Sequence, residues 1–329
     1  MSKPIRNQSL FKKPKASAEK NKKLAVMIPC LNEASSLGRV LASIPKRIKG
    51  IGRIEVVVID DGSTDQTRTI AEKAGIKHLV IHKKNQGLAK SFEDGLAKAL
   101  TIGADIIVNT DGDNQYNQSQ ISQLVQPILK DRADLVLGNR QIRKLKHMPI
   151  AKKWGNLLGS WTIRKLTGTK IRDASTGFRA FSRELASSFG CFLGHTYTHE
   201  SIIHAALNDF RIIEIPITFK KRQFGHSRLI KNIWTHIKTS GAIIVRTILV
   251  YRAFKYLSLL GLVLILSGIF GIGRFLFFYF AGKGNGHIQS LILASILIGT
   301  GFSTFLMGIL ADLIGLNRKL INKLGQSLK

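Results

Sequence analysis

The 329-residue chain is long enough for one α/β domain of ordinary size plus an appendage. Its 50 Lys and Arg against 20 Asp and Glu give a formal charge of +30, which points to an anionic partner: nucleic acid, anionic lipid or a phosphorylated substrate. The two cysteines, Cys30 and Cys191, have no CxxC partner, so a zinc-finger reading fails and a reducing, cytosolic setting is expected.

Residues 1–23 are read as a basic disordered tail, in which Glu19 is the one acid among lysines and Arg6. No apolar run follows those charges, so the tail does not read as a secretory signal. The catalytic unit is expected over 24–228. LAVMIP at 24–29 reads as a buried strand ending in Asn32 and Glu33, with a helix over 34–44. IEVVVI at 54–59 is a second strand, ending in Asp60 and Asp61, and Ser63 or Thr64 is placed to cap the next helix. A short strand at 78–82, a turn at 85–88 and a helix at 89–100 lead to the strand that ends at Asn109. Beyond it stand Asp111 and Asp113, with Gly112 between them. A strand at 133–140 ends in Arg140, a basic stretch follows, residues 173–179 form a loop entering a strand, and 211–219 is the last strand.

Near-continuous apolar strands alternating with helices predict a parallel sheet. In such sheets ligands gather at the carboxyl ends of the strands. Three of those ends carry acids or amides here: Asn32 and Glu33, Asp60 and Asp61, Asp111 and Asp113. Two carboxylates one residue apart suit a hard cation, Mg²⁺ or Mn²⁺, completed by substrate phosphates. No G-x-G-x-x-G or Walker loop is present, which argues against an ordinary dinucleotide or ATP site.

Residues 229–249 have apolar positions at helical spacing and read as an interfacial amphipathic helix within a juxtamembrane segment, 229–255. Two uncharged or nearly uncharged stretches, 256–281 and 288–314, are long enough to cross a hydrocarbon core of about 30 Å. A basic tail, 315–329, follows. Positive flanks and a nearly neutral connecting loop place both termini and the α/β domain in the cytoplasm, in the plasma membrane of a prokaryote.

Taken in order, IPCLNE (28–33), VIDDGSTD (58–65), NQGLAKSFEDGL (85–96), TDGDNQY (110–116), LGNR (137–140), DASTGFRAFSR (173–183) and FKKRQFGHSRL (219–229) resemble family-2 glycosyltransferases of the GT-A fold. More narrowly, they resemble the polyprenyl-phosphate sugar synthases, the dolichyl-phosphate mannose synthase-like group. The resemblance covers roughly 24–230, and paired C-terminal spans fit the same group. It implies an α/β GT-A fold and transfer of one sugar, with inversion, from a UDP- or GDP-hexose to undecaprenyl or dolichyl phosphate. Under it Pro29, Asn32, Glu33, Asp60, Asp61 and Asp111 hold the nucleotide. Asp111 and Asp113 hold the metal, and Gln115 assists. Arg140 and Arg222 contact phosphates. Asp173, Ser175, Arg179, Glu200, Ser227 and Arg228 form the acceptor side. The prolines common after the acidic motif are replaced by Asn117 and Gln118.

A glycerolipid or polysaccharide acceptor is the rival enzyme reading, although no Gln-x-x-Arg-Trp of processive synthases occurs. A non-catalytic, membrane-anchored basic binder is the rival of another class. No nucleic-acid module appears, so nucleic acid is not an expected partner. A homo-oligomer is left open.

Overall fold

The computed structural model describes residues 22–145, 148–189, 197–222, 253–282 and 288–327. Ser227, Arg228, the expected interfacial helix and most of the N-terminal tail lie outside the described residues. Lys22 and Lys23, expected in that tail, instead open the first strand.

Among the described residues the strands form one seven-stranded sheet in the order β3-β2-β1-β4-β6-β5-β7. They are β1 (Lys22–Cys30), β2 (Ile51–Asp60), β3 (His78–Ile81), β4 (Ile106–Asn109), β5 (Leu135–Asn139), β6 (Arg179–Ser182) and β7 (Ile212–Pro216). Every neighbouring pair is parallel except those made by β6, which runs against both β4 and β5. β1 lies between β2 and β4, and seven consecutive residues of it are buried, which is why LAVMIP lacks the alternation of a half-exposed strand.

Helices α1 (Ala34–Ser43), α2 (Thr67–Lys73) and α4 (Ile121–Leu129) cover one face. There α4 buries Ile121, Leu124, Val125 and Ile128, the i, i+3, i+4, i+7 stripe of an amphipathic helix. On the other face α3 (Leu88–Thr101), α5 (Ile150–Thr167), α6 (Arg183–Ser188) and α7 (Tyr197–Leu207) enclose a core that includes Phe92, Leu96, Phe181 and Ile202. The cap expected for α2 is different. Ser63 Oγ accepts the Asn32 N–H (2.9 Å) and the Thr64 N–H is donated to Asn32 Oδ1 (2.6 Å). Asp65 Oδ1 takes the Thr67 N–H instead, at 2.9 Å.

The reversal at β6 positions the site. It sets Arg179 level with Asn109, so the 173–178 loop arrives at the same end of the sheet as the tips of β1, β2, β4 and β5. A purely parallel continuation would deliver that loop to the opposite end.

Helices α8 (Ala253–Phe280) and α9 (Ile288–Ser327) form an apolar hairpin, with windows of mean hydropathy 2.2 and 1.9. A 28-residue helix is about 42 Å long, enough to cross a membrane. Their contact runs along small residues: a Cβ on Gly261 would fall 2.6 Å from the Gly301 carbonyl oxygen. The large side chains, such as Phe270 and Phe280, point outward, which suits lipid rather than water. Helix α9 continues to Ser327, so the segment expected as a free basic tail is mostly helical.

Candidate active site

The carboxyl end of β1 is tied to that of β2. Pro29 faces the β4 side two residues beyond Met27, whose carbonyl accepts the Thr110 N–H at 3.0 Å. That contact is the last of the β1–β4 ladder, so the missing N–H of Pro29 costs no bond. Asn32, left-handed at φ 53°, bridges to Ser63 and Thr64. Asp60 is buried and accepts the Ser63 N–H at 3.0 Å.

Asp61 has a different task from the expected nucleotide contact. One oxygen lies 2.7 Å from His82 Nδ1 and accepts the Gln86 N–H, and the other accepts the Gly87 N–H. His82 in turn meets Asp94 at 3.0 Å through Nε2. Both oxygens of Asp61 are therefore spent on holding the 85–87 turn against the strand end.

Asp111 and Asp113 sit just past β4. Gln115 N–H is donated to Asp113 Oδ1 at 3.1 Å, and Arg222 Nη1 stands 3.7 Å from Asp113 Oδ2. Arg222 also pairs with Glu33. Among the described residues the Asp111 carboxylate receives no hydrogen bond. Room for it is made by Gly177, where a Cβ would lie 2.8 Å from Oδ1. Burial, and then the neighbouring Asp113 charge, push Asp111 up to about 7. Burial, followed by the field of Glu33, Asp60, Asp111 and Asp113, likewise pushes the Cys30 thiol up. Gln115 does not turn its amide nitrogen to the acids: Nε2 is donated to the Lys220 carbonyl at 3.0 Å, and the Lys220 N–H returns to the Gln115 carbonyl at 2.8 Å. That pairing carries Arg222 over the carboxylates.

The donor set fits a hard divalent cation. Asp111 offers unbonded oxygens beside Asp113, in a place crowded with negative charge. Among the described residues no group of three or more His, Cys, Asp or Glu side chains makes a protein-only cage. Two carboxylates leave most of the coordination sphere to substrate oxygens and water, as Mg²⁺ and Mn²⁺ sites on phosphates do.

Arg140 follows β5 and is buried. Its Nε and Nη2 bind both oxygens of Asp173 at 2.8 Å, and Nη2 is also donated to Ser175 Oγ at 2.7 Å. The guanidinium carbon lies 5.3 Å from the Phe219 ring centre. Nη1 makes no hydrogen bond among the described residues, so one edge of the fork is available to an anion. Asp173, expected on the acceptor side, is fully buried and serves Arg140 instead. Arg179 is also fully buried, so it is not an acceptor-contacting residue. Its donors go to the carbonyls of Thr176, Thr198 and Ala174 and to Ser201 Oγ, which shape the loop from below. Glu200 lies in the first turn of α7, partly exposed.

Sequence reading missed α5 and its two faces. Inward, Asn156 Oδ1 accepts the Ser175 hydroxyl at 2.5 Å and Ser160 Oγ accepts the Ala174 N–H at 3.0 Å. Outward, Ile150, Trp154, Leu158 and Trp161 are 74, 69, 59 and 50% exposed. Their spacing of 4, 4 and 3 was the available signal, hidden by the lysines between them.

The model of Glycosyl transferase family 2 matches residues 25–190, half of the chain. The chain belongs to that family. As a family 2 glycosyltransferase it has a GT-A-like α/β fold and is an enzyme that transfers sugars. The dolichyl-phosphate hexose transferase of Haloferax volcanii is 32% identical over 206 residues, 63% of this chain and 86% of that one. The undecaprenyl-phosphate mannosyltransferase of Micrococcus luteus is 26% identical over 221 residues, 63% and 87% of the two chains. Glucosyl-3-phosphoglycerate synthase from Mycobacterium tuberculosis, crystallised with Mn²⁺, UDP-glucose and phosphoglyceric acid, has the same fold. Its TM-score is 0.53 at 19% identity, over 73% of this glycosyltransferase and 85% of the synthase.

Proposed function

We propose that this glycosyltransferase moves one sugar, with inversion, from a UDP- or GDP-hexose to a polyprenyl phosphate at the cytoplasmic face of a membrane. The observation that carries the lipid acceptor is α5. One face of that helix holds Ser175 and Ala174, beside Arg140; the other exposes a tryptophan-rich apolar stripe among lysines. An exposed face with two tryptophans suits a lipid surface, and here it would bring a membrane-borne phosphate to the rim of the site. The apolar hairpin α8–α9 and the names of the relatives agree with it.

Pro29, Asn32, Glu33 and Asp60 line the strand ends where a nucleotide of the donor would bind. Asp111 and Asp113 would hold Mg²⁺ or Mn²⁺, which offsets charge developing on the departing nucleoside diphosphate. Arg140 presents Nη1, and Arg222 its guanidinium, to phosphate oxygens. A polyprenyl phosphate is already anionic near neutral pH. It needs alignment and charge neutralisation more than a strong base, and the residues supply those.

The test is label transfer by the full chain in liposomes, with Mn²⁺ or Mg²⁺, a panel of radiolabelled UDP- and GDP-sugars, and a polyprenyl phosphate. Label entering the organic phase with one donor, only with metal and lipid, is the expected result. Nucleotide binding without lipid label, whatever the donor, refutes the acceptor.

A further inference from the structure

Glu214 takes no part in the site as drawn so far. It lies on β7, level with Leu137 of β5, three residues before Arg140. Its Oε1 accepts the Asp173 N–H at 2.7 Å and the Arg172 N–H at 3.0 Å, and Oε2 accepts the Arg172 N–H at 3.1 Å. Those two amides have no other acceptor among the described residues. Glu214 thus grips the backbone that carries Asp173, and the Asp173 carboxylate accepts from Arg140 Nε, Nη2 and the Arg140 backbone N–H.

We propose that Glu214 is a positioning residue for Arg140, fixing the 172–173 backbone so that the guanidinium's unbonded Nη1 is aimed at a substrate phosphate. The inference rests on the phosphate role proposed for Arg140. Both carboxylate oxygens are engaged. Two converging N–H donors need acceptor oxygens, and a glutamine would turn an NH₂ group toward one of them. Arg140 cannot compensate, because both oxygens of a buried Asp173 lock its fork. A shift of Asp173 is therefore passed on whole.

The charge of Asp173 acts on Glu214, and Lys170 and Asp209 line the same surface cleft. Burial first, and then the Asp173 charge, hold the Glu214 carboxyl above its ordinary range.

The experiment compares wild type, Glu214→Gln, Arg140→Ala and the double variant, as full chains in liposomes. Glu214→Gln is expected to lower kcat/KM about ten-fold, with the fold retained by melting, as follows from the penalty for misplacing a catalytic group by less than an ångström. In the Arg140→Ala background it adds no further loss, because the two residues act in series. Hydrogen exchange at the 172–173 amides rises in Glu214→Gln. Wild-type rates and exchange in that variant overturn the proposal, as does a full extra ten-fold loss on top of Arg140→Ala. If wild type itself transfers nothing to polyprenyl phosphate, the acceptor reading fails. The exchange measurement needs no substrate and still decides whether Glu214 holds the loop.

Discussion

Replacing Gly177 by alanine tests the acidic pair without touching either acid. The new Cβ would sit 2.8 Å from Asp111 Oδ1, 3.0 Å from Oδ2 and 3.2 Å from Cγ, so something must move by several tenths of an ångström. The backbone cannot give way cheaply. The Gly177 N–H is donated to Tyr116 Oη at 3.0 Å and its carbonyl accepts Asn109 Nδ2 at 2.9 Å, both in buried surroundings. Asp111 has no hydrogen bond among the described residues to hold it, so its side chain swings away from Asp113. Overpacking of this kind costs about 1–3 kcal/mol of stability. A metal ligand displaced by about half an ångström is expected to lose about ten-fold in transfer, close to 1.4 kcal/mol at the transition state. The assay is label transfer against Mn²⁺ concentration, with melting as the fold control. Half-saturation is expected at higher Mn²⁺ in Gly177→Ala, with the maximal rate reduced. Wild-type rate and wild-type metal dependence would refute the view that this glycine makes room for a metal-holding carboxylate.

Three further outcomes are expected. Asp113→Ala abolishes transfer while the chain still folds in membranes; wild-type activity in that variant sinks the metal assignment. Because Asp111 is pushed up to about 7, it carries a proton below that pH and the metal must displace it. Half-saturating metal should therefore rise about ten-fold per pH unit below 7 and level off above it, read from metal titrations of transfer. Trp154→Glu with Trp161→Glu places two charges on the exposed face of α5. Activity on polyprenyl phosphate in vesicles should fall about ten-fold or more while nucleotide binding measured by calorimetry is unchanged, since the loss is one of lipid docking; equal activity would remove α5 from the membrane.

Much of the scaffold was legible because it depends on local pattern. LAVMIP, IEVVVI and the run before Asn109 announce central strands by near-continuous apolar residues, and acids at three strand ends share a place once the sheet is parallel. The apolar hairpin is equally plain, since length and hydropathy alone define it. The roles of single polar residues were not legible in the same way. Asp61 and Asp60 are neighbours of the same type, yet one is absorbed by His82 and the 86–87 amides. Arg179 reads as a site arginine and is buried among carbonyls and the Ser201 hydroxyl, while Asp173 reads as an acceptor ligand and is the mate of Arg140.

The sequence by itself determined the α/β class, the alternation of strands and helices as far as Asn109, the acidic strand tips and the two apolar spans. These follow from periodicity and residue type, which act over a few neighbouring positions. The tertiary structure alone decided that β6 runs antiparallel, bringing the 173–178 loop to the acids. It also decided that Gly177 faces Asp111, and that Glu214, 41 residues from Asp173, holds the backbone behind Arg140. Those facts depend on which distant segments share a hydrogen bond, and that is fixed only when the sheet closes and each buried donor must find its acceptor.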